Sequence, residues 1–105
     1  MTVRALSQQE FDRFSSIAVR LNGVRHKAVE WFIDEAGVIL GAIVYHESAL
    51  VWSFAILTRG IYGDFRSFDH STGLRSLEEA RRLLFSRMKT ALAMTIEGNP
   101  KQNVR

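Results

Sequence analysis

The central part of the chain, residues 28–68, constrains the fold more than any other segment. It holds four short apolar segments with the composition of β-strands, and on each side lies an amphipathic segment that opens with a capping box. Short strands that follow one another closely pair as an antiparallel sheet, and amphipathic helices need an apolar surface to pack on. We therefore predict an α+β fold, a four-stranded antiparallel meander flanked by an N-terminal and a C-terminal helix (α-β-β-β-β-α), with both helices on one face.

The first amphipathic segment begins at Ser7. Ser7 and Glu10 have the spacing of a capping box, in which each side chain accepts a hydrogen bond from the backbone N–H of the other residue. Apolar residues then recur three and four positions apart, at Phe11, Phe14, Ile17, Ala18 and Leu21. We predict a helix from Ser7 to Leu21 that stops at Asn22 and Gly23, because both residues tolerate a left-handed conformation.

The four predicted strands cover residues 28–34, 38–45, 50–57 and 61–69. A tight turn at Asp34–Gly37 joins the first two strands, with Gly37 at the position that needs a positive φ. The third strand alternates, and its heavier face, which should meet the helices, carries Leu50, Trp52, Phe54 and Ile56. The fourth strand contains Gly63, Asp64 and Arg66, which is typical of an edge strand. A loop over residues 70–75 follows it.

The second amphipathic segment begins at Ser76, which has capping-box spacing with Glu79. Its apolar stripe comprises Leu77, Ala80, Leu84, Met88 and Ala91. The sequence Gly98-Asn99-Pro100 ends this predicted helix. We expect a single domain over residues 1–105, with residues 1–6 and 99–105 flexible.

The lighter face of the third strand predicts self-association. Two helices can cover one face of a four-stranded sheet, which leaves a second surface of apolar side chains: Ile39, Ile43, Tyr45, Val51, Ala55 and Leu57. Monomers rarely expose such a surface. We therefore predict a homodimer, formed through this face or by edge pairing.

The composition narrows the classes of function. The chain has no cysteine, which removes disulfides, thiolate catalysis and cysteine-ligated zinc, and which fits a reducing compartment. No apolar run approaches the roughly 20 residues that a membrane span needs, and we identify no export signal. We expect a cytoplasmic protein with no membrane partner.

The sequence contains no motif of catalytic, metal or nucleotide chemistry, so we expect no catalytic residue, no metal site and no cofactor. His46 lies in a predicted turn and His70 in a predicted loop, without metal-ligand spacing on one element. Exposed turn residues are the simpler interpretation. Trp31 and Trp52 can act as stacking platforms for bases or sugars. Both alternate within apolar runs, however, and we predict that they pack in the core.

Basic residues form the candidate binding surface. Residues 28–57 carry four acidic and no basic side chains, whereas residues 1–27 and 76–105 carry an excess of basic ones, and the net charge is +3. The candidate nucleic-acid contacts are Arg59, Arg66, Arg75, Arg81 and Arg82. Because Glu78 and Glu79 lie beside the arginines of the second helix, we expect weak, electrostatic binding at most.

Three resemblances follow from these patterns. The order helix, strands, helix resembles the double-stranded RNA-binding domain, although that family opens its second helix with lysines where this chain has Ser76-Leu77-Glu78-Glu79. The segments Trp52–Ile56 and Ser76–Ala80 resemble the sheet-then-helix order of AP2-type DNA-binding domains. A third pattern covers most of the chain: Trp31-Phe32-x-Asp34-x-x-Gly37-x-x-Leu40-Gly41, then Trp52, Leu57-x-Arg59, Phe65-Arg66 and Glu79-Ala80-Arg81. It resembles a group of small bacterial proteins of unknown function, which implies a bacterial cytosolic origin and no activity.

These observations favour a non-enzymatic binding or regulatory module with a macromolecular partner, such as another protein. A weak nucleic-acid-binding domain that uses its basic helices is the alternative. A small-molecule enzyme ranks third, because the sequence shows no activated nucleophile, metal cluster or phosphate loop.

Overall fold

A computed structural model of the protein describes residues 3–14, 18–59 and 65–97, with the backbone alone at residues 18, 59, 65, 66 and 95–97. These residues form, in chain order, β1 (Val3–Ala5), α1 (Gln8–Phe14), β2 (Ala18–Leu21), β3 (Val24–Lys27), β4 (Glu30–Asp34), β5 (Ile39–His46), β6 (Val51–Arg59), β7 (Phe65–Leu74) and α2 (Leu77–Glu97). One antiparallel sheet has the strand order β1-β4-β5-β6-β7, and β2 and β3 form a separate hairpin.

The predicted four-stranded meander is wrong. Strands β4 to β7 correspond to the four predicted strands, but the sheet has a fifth strand, β1, which pairs with β4 through Val3 and Asp34 at one end. This strand lies within residues 1–6, the segment that we expected to be flexible. The expectation for residues 99–105 lies outside the described residues. A second sheet, the β2–β3 hairpin, occupies positions that we assigned to the first helix and to the connector after it.

Helix α1 begins at its predicted cap but is much shorter than predicted. The Ser7 hydroxyl accepts a hydrogen bond from the N–H of Glu10, and the Glu10 carboxylate accepts one from the N–H of Ser7. The helix then ends at Phe14. Asn22 and Gly23 have φ values of 53° and 82°, and they form the two-residue turn between β2 and β3. Positive φ at both central residues matches the twist of a β-hairpin, so the signal that we read as a helix stop is a hairpin turn.

Helix α2 covers one face of the sheet. It meets the face that carries Phe54 and Ile56, as predicted for the heavier face of that strand. The buried side chains of this core are Phe32, Ile39, Ile43, Phe54, Ile56, Leu74, Ala80, Leu84, Met88, Ala91 and Leu92. The helix approaches β5 most closely at Gly41, where an added Cβ would lie 2.6 Å from Met88 Sδ and 3.0 Å from Leu84 Cδ1.

The β2–β3 hairpin and α1 cover the opposite face. Val19 and Leu21 of β2 are buried there, and Phe11 and Phe14 of α1 pack against the same core. The other buried members of this core are Ala28, Trp31, Ile33, Leu40, Ala42, Val44, Ala55 and Leu57. The prediction that both helices share one face is therefore wrong, because an apolar sheet with two buried faces needs a cover on each side.

This arrangement buries the surface on which the predicted homodimer depended. Ile43 pairs with Phe54, so its side chain belongs to the α2 face, and Ile39 lies in the same core. Ala55 and Leu57 lie in the core beneath the hairpin. The chain thus covers both groups of side chains itself, and self-association stays a prediction.

The turn between β4 and β5 forms as predicted. Gly37 has a φ of 74°. The carboxylate of Asp34 is 2% exposed and accepts hydrogen bonds from the N–H groups of Ala36, Val38 and Ile39, at 2.9, 2.8 and 2.6 Å. Three backbone donors replace the water that this buried carboxylate loses.

Strand β7 lies at the edge of the sheet, as predicted for the fourth strand, but it continues to Leu74 through most of the predicted loop. The pairing of β6 with β7 shifts twice. At each shift β7 contributes one residue more than β6. The first shift lies between the pairs Trp52↔Leu74 and Phe54↔Ser71, and the second lies between Ile56↔Asp69 and Leu57↔Ser67. These are β-bulges on the outer strand. Within the described residues, no helix is both long and apolar enough to cross a membrane.

Candidate functional site

The five candidate arginines do not form one surface. Arg75 directly follows β7, and Arg81 and Arg82 lie in the second turn of α2. Arg59 and Arg66, whose side chains are not described, belong to the opposite end of the β6–β7 pair, where Thr58 pairs with Arg66 and Arg59 with Phe65. The six residue steps along β6 from Trp52 to Thr58 correspond to about 20 Å of strand. The structure therefore brings three of the arginines together and separates them from the other two.

Arg81 is engaged in an ion pair. Its Nε donates to Glu30 Oε1 at 2.8 Å and its Nη2 donates to Glu30 Oε2, which gives the two-pronged geometry that favours arginine over lysine. The hydrogen bond to Glu30 raises the pKa of the guanidinium. This pair joins α2 to the first residue of β4. Arg75 and Arg82 are exposed.

The Glu30–Arg81 pair lies on the rim of a cavity of about 260 Å³, which we call the indole cavity. Leu6 and Phe11 line it from the segment around α1, and Trp31 and Phe32 line it from β4. The lining of the cavity therefore combines apolar side chains with one pair of opposite charges. Because its walls come from β1, α1, β4 and α2, it exists only after the chain has folded.

Trp31, one of the residues that line the cavity, carries a buried hydrogen-bond donor that is unpaired among the described residues. The side chain is 2% exposed, and within the described part of the chain its indole N–H has no hydrogen-bond partner. Leaving a buried polar group unpaired costs about 1–3 kcal/mol. Trp31 thus lies in the core, as predicted. Trp52 is only half-buried and stacks at a tilt on Tyr45, with 4.5 Å between ring centroids.

A second polar cluster joins the hairpin to the sheet. The ring of His26 on β3 meets the ring of His46 on β5 edge to face, with 4.7 Å between centroids. His46 Nε2 lies 2.7 Å from the Oγ of Ser53 on β6, and Ser53 has no exposed surface. We interpreted His46 as an exposed turn residue, and this was wrong: it ends β5 and is half-buried. Burial and the neighbouring His26 lower the pKa of His46.

A serine hydroxyl beside an imidazole nitrogen has the geometry of a nucleophile and its general base. In this fold, however, the Ser53 hydroxyl is fully buried beneath the hairpin, where a substrate cannot reach it. The Ser53–His46 pair therefore holds two elements together. Among the residues that the structure describes, no group of three or more histidine, aspartate or glutamate side chains is placed to bind a metal ion.

Sequence reasoning missed both the His26–His46–Ser53 cluster and the indole cavity, and only the first left a trace in the alternation of the strands. Ser53 alternates with Val51, Ala55 and Leu57, and a hydroxyl on such an apolar face needs a partner if the face is buried. The partner, His46, was hidden by its assignment to a turn. The indole cavity had no comparable sign, because its lining residues are scattered from Leu6 to Arg81.

No family model matches the chain, and no curated protein and no solved structure match it either. The resemblance to small bacterial proteins therefore stays a prediction. The function has to be argued from the geometry of the described residues.

Proposed function

We propose that the protein is a non-enzymatic binding module that holds an apolar side chain of a protein partner in the indole cavity. One observation carries this proposal: Leu6, Phe11, Trp31 and Phe32 line a cavity of about 260 Å³ on the surface of the protein. An apolar side chain of a partner that fills this space removes these apolar surfaces from water. Because Trp31 lines the cavity, the NMR signal of its buried indole N–H reports whether the cavity is filled.

The size and lining of the cavity support this occupant. An apolar cavity of about 150 Å³ is large enough to bind benzene, so the 260 Å³ here admits a leucine-sized side chain. Leu6, Phe11 and Phe32 supply the apolar contacts. The Glu30–Arg81 pair adds a charged margin, and an apolar centre with a polar rim is the usual anatomy of a protein interface.

Nucleic-acid binding, the alternative function, has less support from the geometry. Arg81 already pairs with Glu30, and Arg87 on the same helix donates to Asp69 at 2.5 Å. The remaining candidate arginines belong to two ends of the β6–β7 pair. Among the described side chains, the candidate arginines therefore offer a duplex no continuous row of free cations.

The test uses the two tryptophans of the chain, whose indole N–H groups give two separate signals in a proton–nitrogen NMR spectrum. The probe is N-acetyl-leucine methylamide, which offers a leucine side chain between two carbonyl groups. We expect the Trp31 signal to shift and saturate at millimolar probe, since a single small residue makes few contacts. The variants Trp31→Phe and Trp52→Phe assign the signals.

The matched probe N-acetyl-glycine methylamide has the same carbonyls and no side chain, and it should leave both signals unchanged. A Trp52 signal that moves as much as that of Trp31 would show non-specific binding and refute the proposal. So would a Trp31 signal that stays fixed up to the solubility limit of the leucine probe.

A further inference from the structure

We propose that His26, His46 and Ser53 form a pH-sensitive latch that holds the β2–β3 hairpin on the sheet, and that mild acid opens it. The three residues lie on three different strands: His26 on the hairpin, and His46 and Ser53 on adjacent central strands of the sheet. The latch therefore spans the boundary between the hairpin and the surface that it covers. The indole cavity contains none of the three residues, so this inference is independent of the proposed function.

The hydrogen bond between Ser53 and His46 links the closed latch to the protonation of His46. The Ser53 hydroxyl is fully buried and lies 2.7 Å from His46 Nε2. In the neutral tautomer of His46 with its proton on Nδ1, Nε2 accepts from this hydroxyl. A protonated His46 carries a proton on both nitrogens, so it can only donate and the hydroxyl loses this acceptor.

The second ring adds repulsion. His26 meets His46 at 4.7 Å between centroids, a distance at which two imidazolium ions repel each other. On β3, His26 is flanked by Arg25 and Lys27, and Arg25 pairs with Arg20 of β2, so the hairpin is already positive. Protonation of His46 therefore places a positive charge against a basic element.

Other titratable groups face the latch from the neighbouring elements. Tyr45 and Glu47, next to His46, line a cavity together with both histidines. The exposed Glu47 carboxylate offers a negative charge at the rim, and Tyr45 contributes a phenol. From β7, His70 is paired with Ala55, two residues along β6 from Ser53, and it is exposed. None of these groups replaces the acceptor that Ser53 loses.

The direction of the pH effect follows from linkage. Burial and His26 hold the pKa of His46 below 6.5, whereas His46 recovers an ordinary value of about 6.5 when the hairpin opens and uncovers it. The open state therefore binds more protons as the pH falls below about 6.5. The latch is fully closed above this pH and opens progressively below it.

The experiment is hydrogen–deuterium exchange of the full chain at pH 7.5, 6.0 and 5.0, with rates corrected for the chemical pH dependence of exchange. We expect the opening constant of residues 18–27 to rise by up to about tenfold per pH unit below 6.5, the limit for the uptake of one proton. Exchange from β5, β6 and α2 should keep its corrected rate. Equal loss of protection in α2 would mean global unfolding and would overturn the proposal.

Three variants test the latch itself. His46→Gln keeps a hydrogen-bond acceptor near Ser53 without a titrating ring, and its hairpin should exchange at a corrected rate that does not depend on pH. If His46→Gln does not fold, Ser53→Ala takes its place. This variant lacks the hydroxyl that needs an acceptor, so the exchange of its hairpin should depend less on pH than in the wild type. His70→Gln removes a histidine outside the latch and should behave as wild type. A wild-type hairpin with constant protection from pH 7.5 to 5.0, or acid opening that persists in His46→Gln, refutes the latch.

Discussion

Substitution of Gly41 by alanine tests how closely α2 packs on the sheet. The new methyl carbon would lie 2.6 Å from Met88 Sδ and 3.0 Å from Leu84 Cδ1. Non-bonded carbon atoms prefer a separation of about 3.5–4.0 Å. Met88 therefore has to move by about 1 Å within a core where it is 1% exposed.

The magnitude is the difference between two effects. Overpacking a core costs about 1–3 kcal/mol, and the loss of glycine freedom in the unfolded chain returns about 0.4–1 kcal/mol. We expect Gly41→Ala to lower the free energy of unfolding by about 1–2 kcal/mol. For a domain of this size, that corresponds to a fall in melting temperature of about 5–10 °C.

Urea unfolding gives the measurement, with the midpoint lowered and the slope unchanged. The control is the double variant with Met88→Ala, which alone should cost about 2–5 kcal/mol because it leaves a cavity. In that background the methyl group at position 41 meets no sulfur and only Leu84 has to move, so Gly41→Ala should cost less than it does in the wild type. Strictly additive losses would show that the two residues are not in contact and would refute the packing described above.

Three further predictions concern the pKa of Glu10, the cap at Ser76 and the binding of nucleic acid. Hydrogen bonds from the Arg4 guanidinium and from the Ser7 N–H lower the pKa of Glu10 to about 2. The stability that this carboxylate contributes is therefore complete above its ordinary pKa of 4.5, and it is lost as the pH falls towards 2. An NMR titration should show this value, and Arg4→Gln should raise it. Ser76→Ala should lose about 1 kcal/mol, because the Ser76 hydroxyl accepts from the N–H of Glu79 at 3.0 Å, and unchanged melting would mean that the cap contributes nothing. Duplex DNA, duplex RNA and single-stranded DNA should bind no tighter than about 10⁻⁴ to 10⁻⁶ M at physiological salt, measured by fluorescence anisotropy. Submicromolar binding that is lost in a folded Arg81→Glu/Arg82→Glu variant would restore the nucleic-acid alternative.

Local signals predicted the parts of the fold that local interactions form. The caps at Ser7 and Ser76, the turn at Asp34–Gly37 and the alternation of β6 each depend on residues close together in sequence. The structure confirms all four. Such features can be recognised in one sequence because their physical cause lies within a few residues.

The predictions that failed concern elements that depend on distant partners, or a segment whose apolar spacing fits both a helix and a strand. Leu21 fits both the predicted helical stripe and a strand that alternates with Val19, and the hairpin turn at Asn22 and Gly23 should have decided between them. Strand β1 has three residues and pairs with β4 about thirty positions later, so no local pattern marks it. The candidate sites failed for the same reason, since Glu30 and Arg81 meet only when α2 has docked on the sheet.

The two bulges of β7 have a consequence for the behaviour of the protein at high concentration. An edge strand with regularly spaced free N–H and C=O groups can template an intermolecular ladder, the first step towards a cross-β fibre. Here the extra residues interrupt that spacing at Phe68 and again between Ser71 and Leu74. Phe68 is 46% exposed, so the interruption falls at the apolar side chain most able to seed such growth. A straight incoming strand can match only short stretches of this edge, and the ladder cannot propagate along it.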